Sequence, residues 1–158
     1  MSKQPALIPK DANAPTRLPS GHQLCIVDHE ELYYRELYLE INGMRDGQTL
    51  FFYPSGQVKM ELFYTDGKIH GPSIFYSEEG KILSEEIFVN GLKQGEAHWY
   101  YPHGQVASHQ KYLDGVWNGL QEYFYEDGTA KTRMEYKQGK LVRAEIFDRQ
   151  GKLVRSTK

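Results

Sequence analysis

Polar and apolar residues alternate along residues 57–64, with Val58, Met60, Leu62 and Tyr64 on one side and Lys59, Glu61 and Phe63 on the other. A period of two is the mark of a strand with two distinct faces. Runs of this kind end on a polar residue followed by glycine: Asn42-Gly43, Asp66-Gly67, Asn90-Gly91, Asp114-Gly115 and Gln138-Gly139. Tight hairpin turns need positive φ at both central residues, which glycine, asparagine and aspartate tolerate best, so each pair predicts a β-hairpin. Half a unit later a second turn signal appears, at Pro54-Ser55-Gly56, Glu78-Glu79-Gly80, Pro102-His103-Gly104 and Asp127-Gly128. Helix competes poorly, because every interior glycine costs a helix about 1 kcal/mol.

The pattern is periodic. Gly43, Gly67, Gly91, Gly115 and Gly139 stand 24 residues apart, as do Gly47, Gly71, Gly95 and Gly119, and Gly56, Gly80, Gly104 and Gly128. Aromatic residues share that lattice in three columns: Phe51, Phe75, Trp99 and Tyr123; Phe52, Tyr76, Tyr100 and Phe124; Tyr64, Phe88, Tyr112 and Tyr136. Turns this short leave no room for a crossover, so the chain is expected to be all-β, an antiparallel hairpin meander or solenoid of roughly ten strands with a 24-residue period. The stacked aromatic columns are expected to supply its core. Leu24 to Ile41 predicts a strand entering the turn at Asn42-Gly43, a degenerate first unit. Residues 1–22 hold Pro5, Pro9, Pro15 and Pro19 and read as a flexible proline-rich arm. Residues 23–158 form the repeat domain of about five units, the first and last degenerate.

With Gly67-Lys68-Ile69-His70-Gly71, Ile74-Phe75-Tyr76, Gly80-Lys81 and Phe88-Val89-Asn90-Gly91, the unit resembles the MORN repeat in its MORN_2 variant over residues 42–151. Bacterial chains built of such units resemble the YwqK family of antitoxin-like proteins. The resemblance implies a scaffold that binds proteins or, in some eukaryotic cases, membranes, and it carries no catalytic motif. Three departures stand out: Arg143 replaces a second glycine, Ser77 replaces the tyrosine found at Tyr53, Tyr101 and Tyr125, and one residue is missing before Gly151. Together they suggest a C-terminal cap.

Composition narrows the function. The 158 residues carry 19 Lys and Arg against 21 Asp and Glu, a net charge of −2 without the basic excess that nucleic acid demands. Membrane association is disfavoured by the same interspersed charge. A single cysteine, Cys25, and the lack of an apolar run of signal-peptide length favour a reducing cytoplasmic setting. Cys25 lies close to Asp28 and His29, yet neighbours along one strand rarely form a thiol-base dyad. His98, His103 and His109 share one unit, and a turn at Pro102-His103-Gly104 sets His98 opposite His109; two histidines without a third ligand read as surface residues. No catalytic residue, cofactor or metal site is expected.

The candidate contacts are the positions that vary between fixed ones. Glu61, Glu85, His109 and Arg133 form one row, and Leu50, Ile74, His98 and Glu122 a second, shifting from apolar to polar along the chain. Trp117 stands in a column otherwise held by Ile69, Lys93 and Leu141, so the repeat does not demand it; it reads either as a partner anchor or as a ring folded onto its neighbour. The expected function is non-enzymatic binding of another protein, a toxin among the candidates, as an antitoxin-like neutraliser or scaffold in a bacterial cytoplasm. The alternatives are a membrane-peripheral protein and a structural homo-oligomer joined through edge hairpins.

Overall fold

The computed structural model describes Leu18, residues 20–30 and residues 34–157. The expected arm therefore lies outside the described residues except for Leu18 and residues 20–22.

The first hairpin pairs β1 (Gln23–His29) with β2 (Tyr34–Ile41). It is followed by β3 (Met44–Phe52), β4 (Val58–Thr65), β5 (Lys68–Tyr76) and β6 (Ile82–Val89). Two strands are split by a single residue, giving β7 (Leu92–Lys93) and β8 (Gly95–Tyr100), then β10 (Val116–Trp117) and β11 (Gly119–Phe124), with β9 (Val106–Leu113) between them. β12 (Ala130–Lys137), β13 (Lys140–Phe147) and β14 (Leu153–Thr157) complete the order. All 14 strands form one antiparallel sheet in chain order, in which the split pairs β7 and β8 both lie against β6, and β10 and β11 both lie against β9. Leu24 to Ile41 is thus a full hairpin rather than one degenerate strand, because residues 23–29 find partners along the whole length of β2.

The turns are those the sequence demands. Asn42, Asp66, Asn90, Asp114 and Gln138 all adopt φ near +50°, ahead of glycines that also have positive φ. Each hairpin tip is tied to the unit before it: the amides of Gly67, Gly91, Gly115 and Gly139 donate to the carbonyls of Arg45, Ile69, Lys93 and Trp117 at 2.7–2.9 Å. At the opposite edge the phenol hydroxyls of Tyr53, Tyr101 and Tyr125 donate to the carbonyls of Tyr76, Phe124 and Phe147 at 2.8–3.1 Å. Ser77 is too short for this bond; its unit is joined instead by Lys81 Nζ, which donates to the Pro102 carbonyl at 3.1 Å.

Register shifts by two residues within the hairpin that carries each second glycine, as between Leu62↔Ser73 and Tyr64↔Ile69. Gly71 there has φ of +116°, a conformation that side chains resist. Where Arg143 replaces that glycine the shift is only one, from Glu135↔Arg143 to Tyr136↔Leu141, so the residue missing before Gly151 is missing from this bulge. The Asp148–Lys152 turn that follows keeps the hydrogen bonds of the other units.

Cross-strand partners share a face, so the register sorts the sheet into two. One, the aromatic face, carries two columns, Phe51, Phe75, Trp99, Tyr123 and Tyr64, Phe88, Tyr112, Tyr136. These rings are half-buried and flank the core rather than fill it. Between them lie the buried Thr49, Leu62, Ser73, Ala97, Gln110 and Gln121. Gln121 is fully enclosed because its side-chain amide replaces strand pairing at the split: it accepts from the Lys111 amide at 3.2 Å and donates to the Lys111 carbonyl at 3.0 Å. The third aromatic column, Phe52, Tyr76, Tyr100 and Phe124, falls on the other face.

Candidate functional site

Two predicted rows prove to be one. On the face opposite the main aromatic columns, Leu50, Glu61, Ile74, Glu85, His98, His109, Glu122 and Arg133 are successive cross-strand partners, one residue per strand. The ladder continues to Leu37 and Ile26 at one end and to Glu145 and Ser156 at the other. Neighbours in it therefore touch, and the apolar-to-polar drift runs across the sheet as a gradient.

Most of the ladder's charge is spent internally. Glu61 accepts from the Gln48 side chain and from the Tyr76 hydroxyl at 3.4 Å, and Glu85 accepts from the Tyr100 hydroxyl at 2.9 Å. Burial, reinforced by these carboxylates, raises both phenols above the ordinary tyrosine range. Arg133 Nε donates to Glu122 Oε1 at 3.0 Å, while its guanidinium lies 5.5 Å over the Phe147 ring. The aromatic neighbour thus matches the ladder residue at these positions, with a tyrosine hydroxyl beside Glu61 and Glu85 and a phenylalanine face beside Arg133. Leu50 packs against Leu37 and Leu39.

The middle of the ladder is different. His98 and His109 stack with ring centroids 4.6 Å apart and planes 10° from parallel. Glu96, two residues before His98 on β8 and so on the same face, joins them: Glu96 Oε2 stands 3.5 Å from His109 Nε2. Its other oxygen pairs with Lys111 Nζ at 3.0 Å, and that ammonium holds the Glu96 carboxyl below the usual carboxylate range. Glu122 Oε2 lies 4.0 Å from His109 Nδ1. One ligand atom from each of Glu96, His98 and His109 can be chosen so that all lie within 4.8 Å of one another. The expectation of two histidines without a third ligand overlooked Glu96, whose signal was its i, i+2 spacing from His98 on a strand. His103 stays apart, stacked on Tyr101 and 3.2 Å from the Glu126 carbonyl.

Trp117 lies on the opposite face, in β10 rather than in an open loop, and its half-buried ring meets the edge of Tyr136 at 4.9 Å. Its counterpart Lys93 sits over the rings of Trp99 and Tyr112 at 5.3 and 5.1 Å and pairs with Glu86 at 2.7 Å. Arg45 repeats the theme with Tyr38 at 4.4 Å and Glu36 at 2.6 Å. On this same face the thiol of Cys25 is pushed up by burial, the reverse of what a nucleophile needs. Asp28 points from β1 to the other face, and His29 is four residues along the strand, so no dyad forms.

Sequence reasoning missed an apolar set on the ladder face. Ile87, Val89, Leu92, Leu113, Val116 and Leu120 are all 40–50% exposed. Val89 pairs with Leu92 and Leu113 with Val116 at successive hairpin tips, and Leu92 reaches over Gly115 of the next tip. In sequence these residues look like core, but the sheet has no second layer among the described residues to cover them.

An open sheet of stacked hairpins, each stitched to the next across one repeat, defines a β-hairpin repeat protein. The MORN repeat variant family matches residues 45–66, 69–90, 93–114 and 117–138, more than half of the chain, and the chain belongs to it. No curated relative matches the sequence. Among solved structures, the Glycosylation Associate Protein (Gap123) complex from Streptococcus agalactiae is similar at 16% identity and a TM-score of 0.33 over 84% of this chain. The accessory secretory protein 1,2 and 3 structure from Streptococcus pneumoniae aligns at 15% identity and a TM-score of 0.23 over 83% of it. The alignment takes in 20% of the neighbour's chain in both cases. Among the described residues no helix is long and apolar enough to cross a membrane.

Proposed function

We propose that this chain is a non-enzymatic module that binds another protein across its ladder face, acting as an antitoxin-like neutraliser or scaffold in a bacterial cytoplasm. The observation that carries the reading is the exposed set Ile87, Val89, Leu92, Leu113, Val116 and Leu120, clustered at two successive hairpin tips beside ion-paired residues. An apolar centre with a polar, internally paired rim is the anatomy of a protein contact surface. The ladder residues fix orientation there, since Glu61, Glu85 and Arg133 are already held in place by their own neighbours. Neutralisation would proceed by occlusion of the partner's working surface.

Capture of a partner from native cells, followed by reconstitution with the purified pair, tests this. Leu92→Glu with Leu120→Glu should weaken the reconstituted complex at least about tenfold, because a charge is then buried unpaired. Unchanged affinity would overturn the assignment of the face, and affinity lost only with Trp117→Ala would move the contact to the aromatic face. A second reading, self-assembly, is favoured by the open β14 edge with Leu153 and Val154 exposed. Light scattering over a range of concentrations separates it, since a constant monomer mass removes it.

A further inference from the structure

We infer that His98, His109 and Glu96 form a binding site for one divalent transition cation, with zinc as the reference ion. Two imidazoles and one carboxylate are a donor set for borderline cations such as zinc, nickel and copper, rather than for magnesium or calcium. All three residues face the same side of the β8–β9 hairpin: Glu96 and His98 alternate along one strand, and His109 is the direct partner of His98. Their ligand atoms lie within 4.8 Å of one another. Around a tetrahedral ion about 2.1 Å from each ligand they would stand about 3.4 Å apart, a contraction that rotation about side-chain torsions supplies.

A second observation points to a ligand. His109 Nε2 is buried without a hydrogen-bond partner and faces Glu96 Oε2 at 3.5 Å. The other ring nitrogen, Nδ1, faces Glu122 Oε2 at 4.0 Å, and Glu122 is itself fixed by Arg133. An ion held on Nε2 would leave the ring proton on Nδ1, facing the Glu122 carboxylate, the arrangement that orients metal-bound histidines. Lys111 occupies only Oε1 of Glu96, so Oε2 is the oxygen offered to the ion. The repeat provides an internal control: the positions of Glu96, His98 and His109 are held elsewhere by Gln48, Leu50 and Glu61, by Pro72, Ile74 and Glu85, and by Leu120, Glu122 and Arg133. No other unit brings two imidazoles and a carboxylate to this spot, so the fold does not require them. Glu96 is exposed, which leaves the remaining coordination positions open to water or to a partner's side chain.

Calorimetric titration of the full chain with zinc chloride tests the site, with cobalt(II) visible spectra reporting the ligand geometry. One ion per chain is expected. His98→Ala or His109→Ala should abolish the isotherm, Glu122→Ala should weaken it about tenfold through the lost orienting carboxylate, and Lys111→Met should tighten it several-fold by removing a competing cation. His103→Ala, in the same unit but apart from the cluster, should change nothing. Far-ultraviolet spectra that match the parent keep these variants interpretable. Failure of zinc to bind, or binding that survives both histidine changes, overturns the inference.

Discussion

The two ends of this sheet are built from the same hairpin and bury their residues in opposite ways. At the N-terminal end Leu39 is fully enclosed and Leu37 nearly so, packed with Leu18, Leu24, Leu50 and Phe52. At the C-terminal end no residue of β12, β13 or β14 is buried, and all five residues of β14 are exposed. The turns and edge bonds of the last units are nonetheless those of the first. Backbone geometry thus propagates along the repeat irrespective of burial, whereas burial depends on what the end units bring. The first hairpin brings leucines; the last units bring charge instead, Arg143 pairing with Glu145 along β13 and Arg133 of β12 pairing with Glu122 of β11. Exposed ion pairs contribute little, with medians of about 0–1 kcal/mol. In a linear array where each unit contacts only its neighbours, such an imbalance makes unfolding begin at the weak end.

Removing the enclosed leucine is the largest way to break the contrast. Leu39→Ala should cost about 2–5 kcal/mol in urea unfolding, and Leu153→Ala less than about 0.5 kcal/mol, because only the first leaves a cavity. Similar losses at both ends would mean that burial does not distinguish them. Amide exchange should report the same order, with β14 opening first and β2 last.

An intermediate effect is expected at the one interior joint where the repeat departs from its own rule. Tyr53, Tyr101 and Tyr125 each bond a carbonyl of the following unit, but Ser77 turns its hydroxyl to Glu79 at 2.8 Å. Ser77→Tyr should restore the bond to the Tyr100 carbonyl and raise stability by about 0.5–1.5 kcal/mol, the net value of one hydrogen bond. A neutral or destabilising result would show that Lys81, reaching the Pro102 carbonyl, already closes that joint.

The hairpins were legible because positive φ restricts residue type: Asn, Asp and Gly at the turns announce the backbone directly. The ladder was half-legible. Residues 24 apart could be aligned as rows, but the interleaving of Glu61 between Leu50 and Ile74 depends on register shifts at Phe51/Phe52 and between Leu62 and Tyr64 that alternation does not reveal. The core was misjudged for a related reason. Large rings were expected inside, yet of the aromatic residues only Phe63 is buried among the described residues, and what the one-layer sheet encloses between its columns is mostly small or polar, Thr49, Ser73, Ala97 and Gln121. Exposed tips such as Leu92 and Val116 escaped notice because an apolar residue in a strand pattern reads as buried when a second layer is assumed.

The smallest expected effect compares the end turns themselves. Asn42 at the first of them and Gln138 at the last adopt the same left-handed conformation, with φ of 52° and 50°. Asparagine tolerates this region; a longer side chain carries a cost toward the roughly 1–2 kcal/mol typical of left-handed L-residues. Neither main-chain bond at the last turn involves the Gln138 side chain: its amide donates to Asn118 Oδ1 at 3.0 Å, and the Gly139 amide to the Trp117 carbonyl at 2.9 Å. Gln138→Asn should therefore keep both bonds and stabilise the chain by about 0.5–1 kcal/mol, seen as slower amide exchange in β13. The reciprocal Asn42→Gln should lose a similar amount, but spread over the leucine-packed hairpin so that no single strand opens early. If Gln138→Asn leaves exchange in β13 unchanged, turn strain is not what weakens the C-terminal end, and the absence of buried residues from β12 to β14 is the whole of the difference.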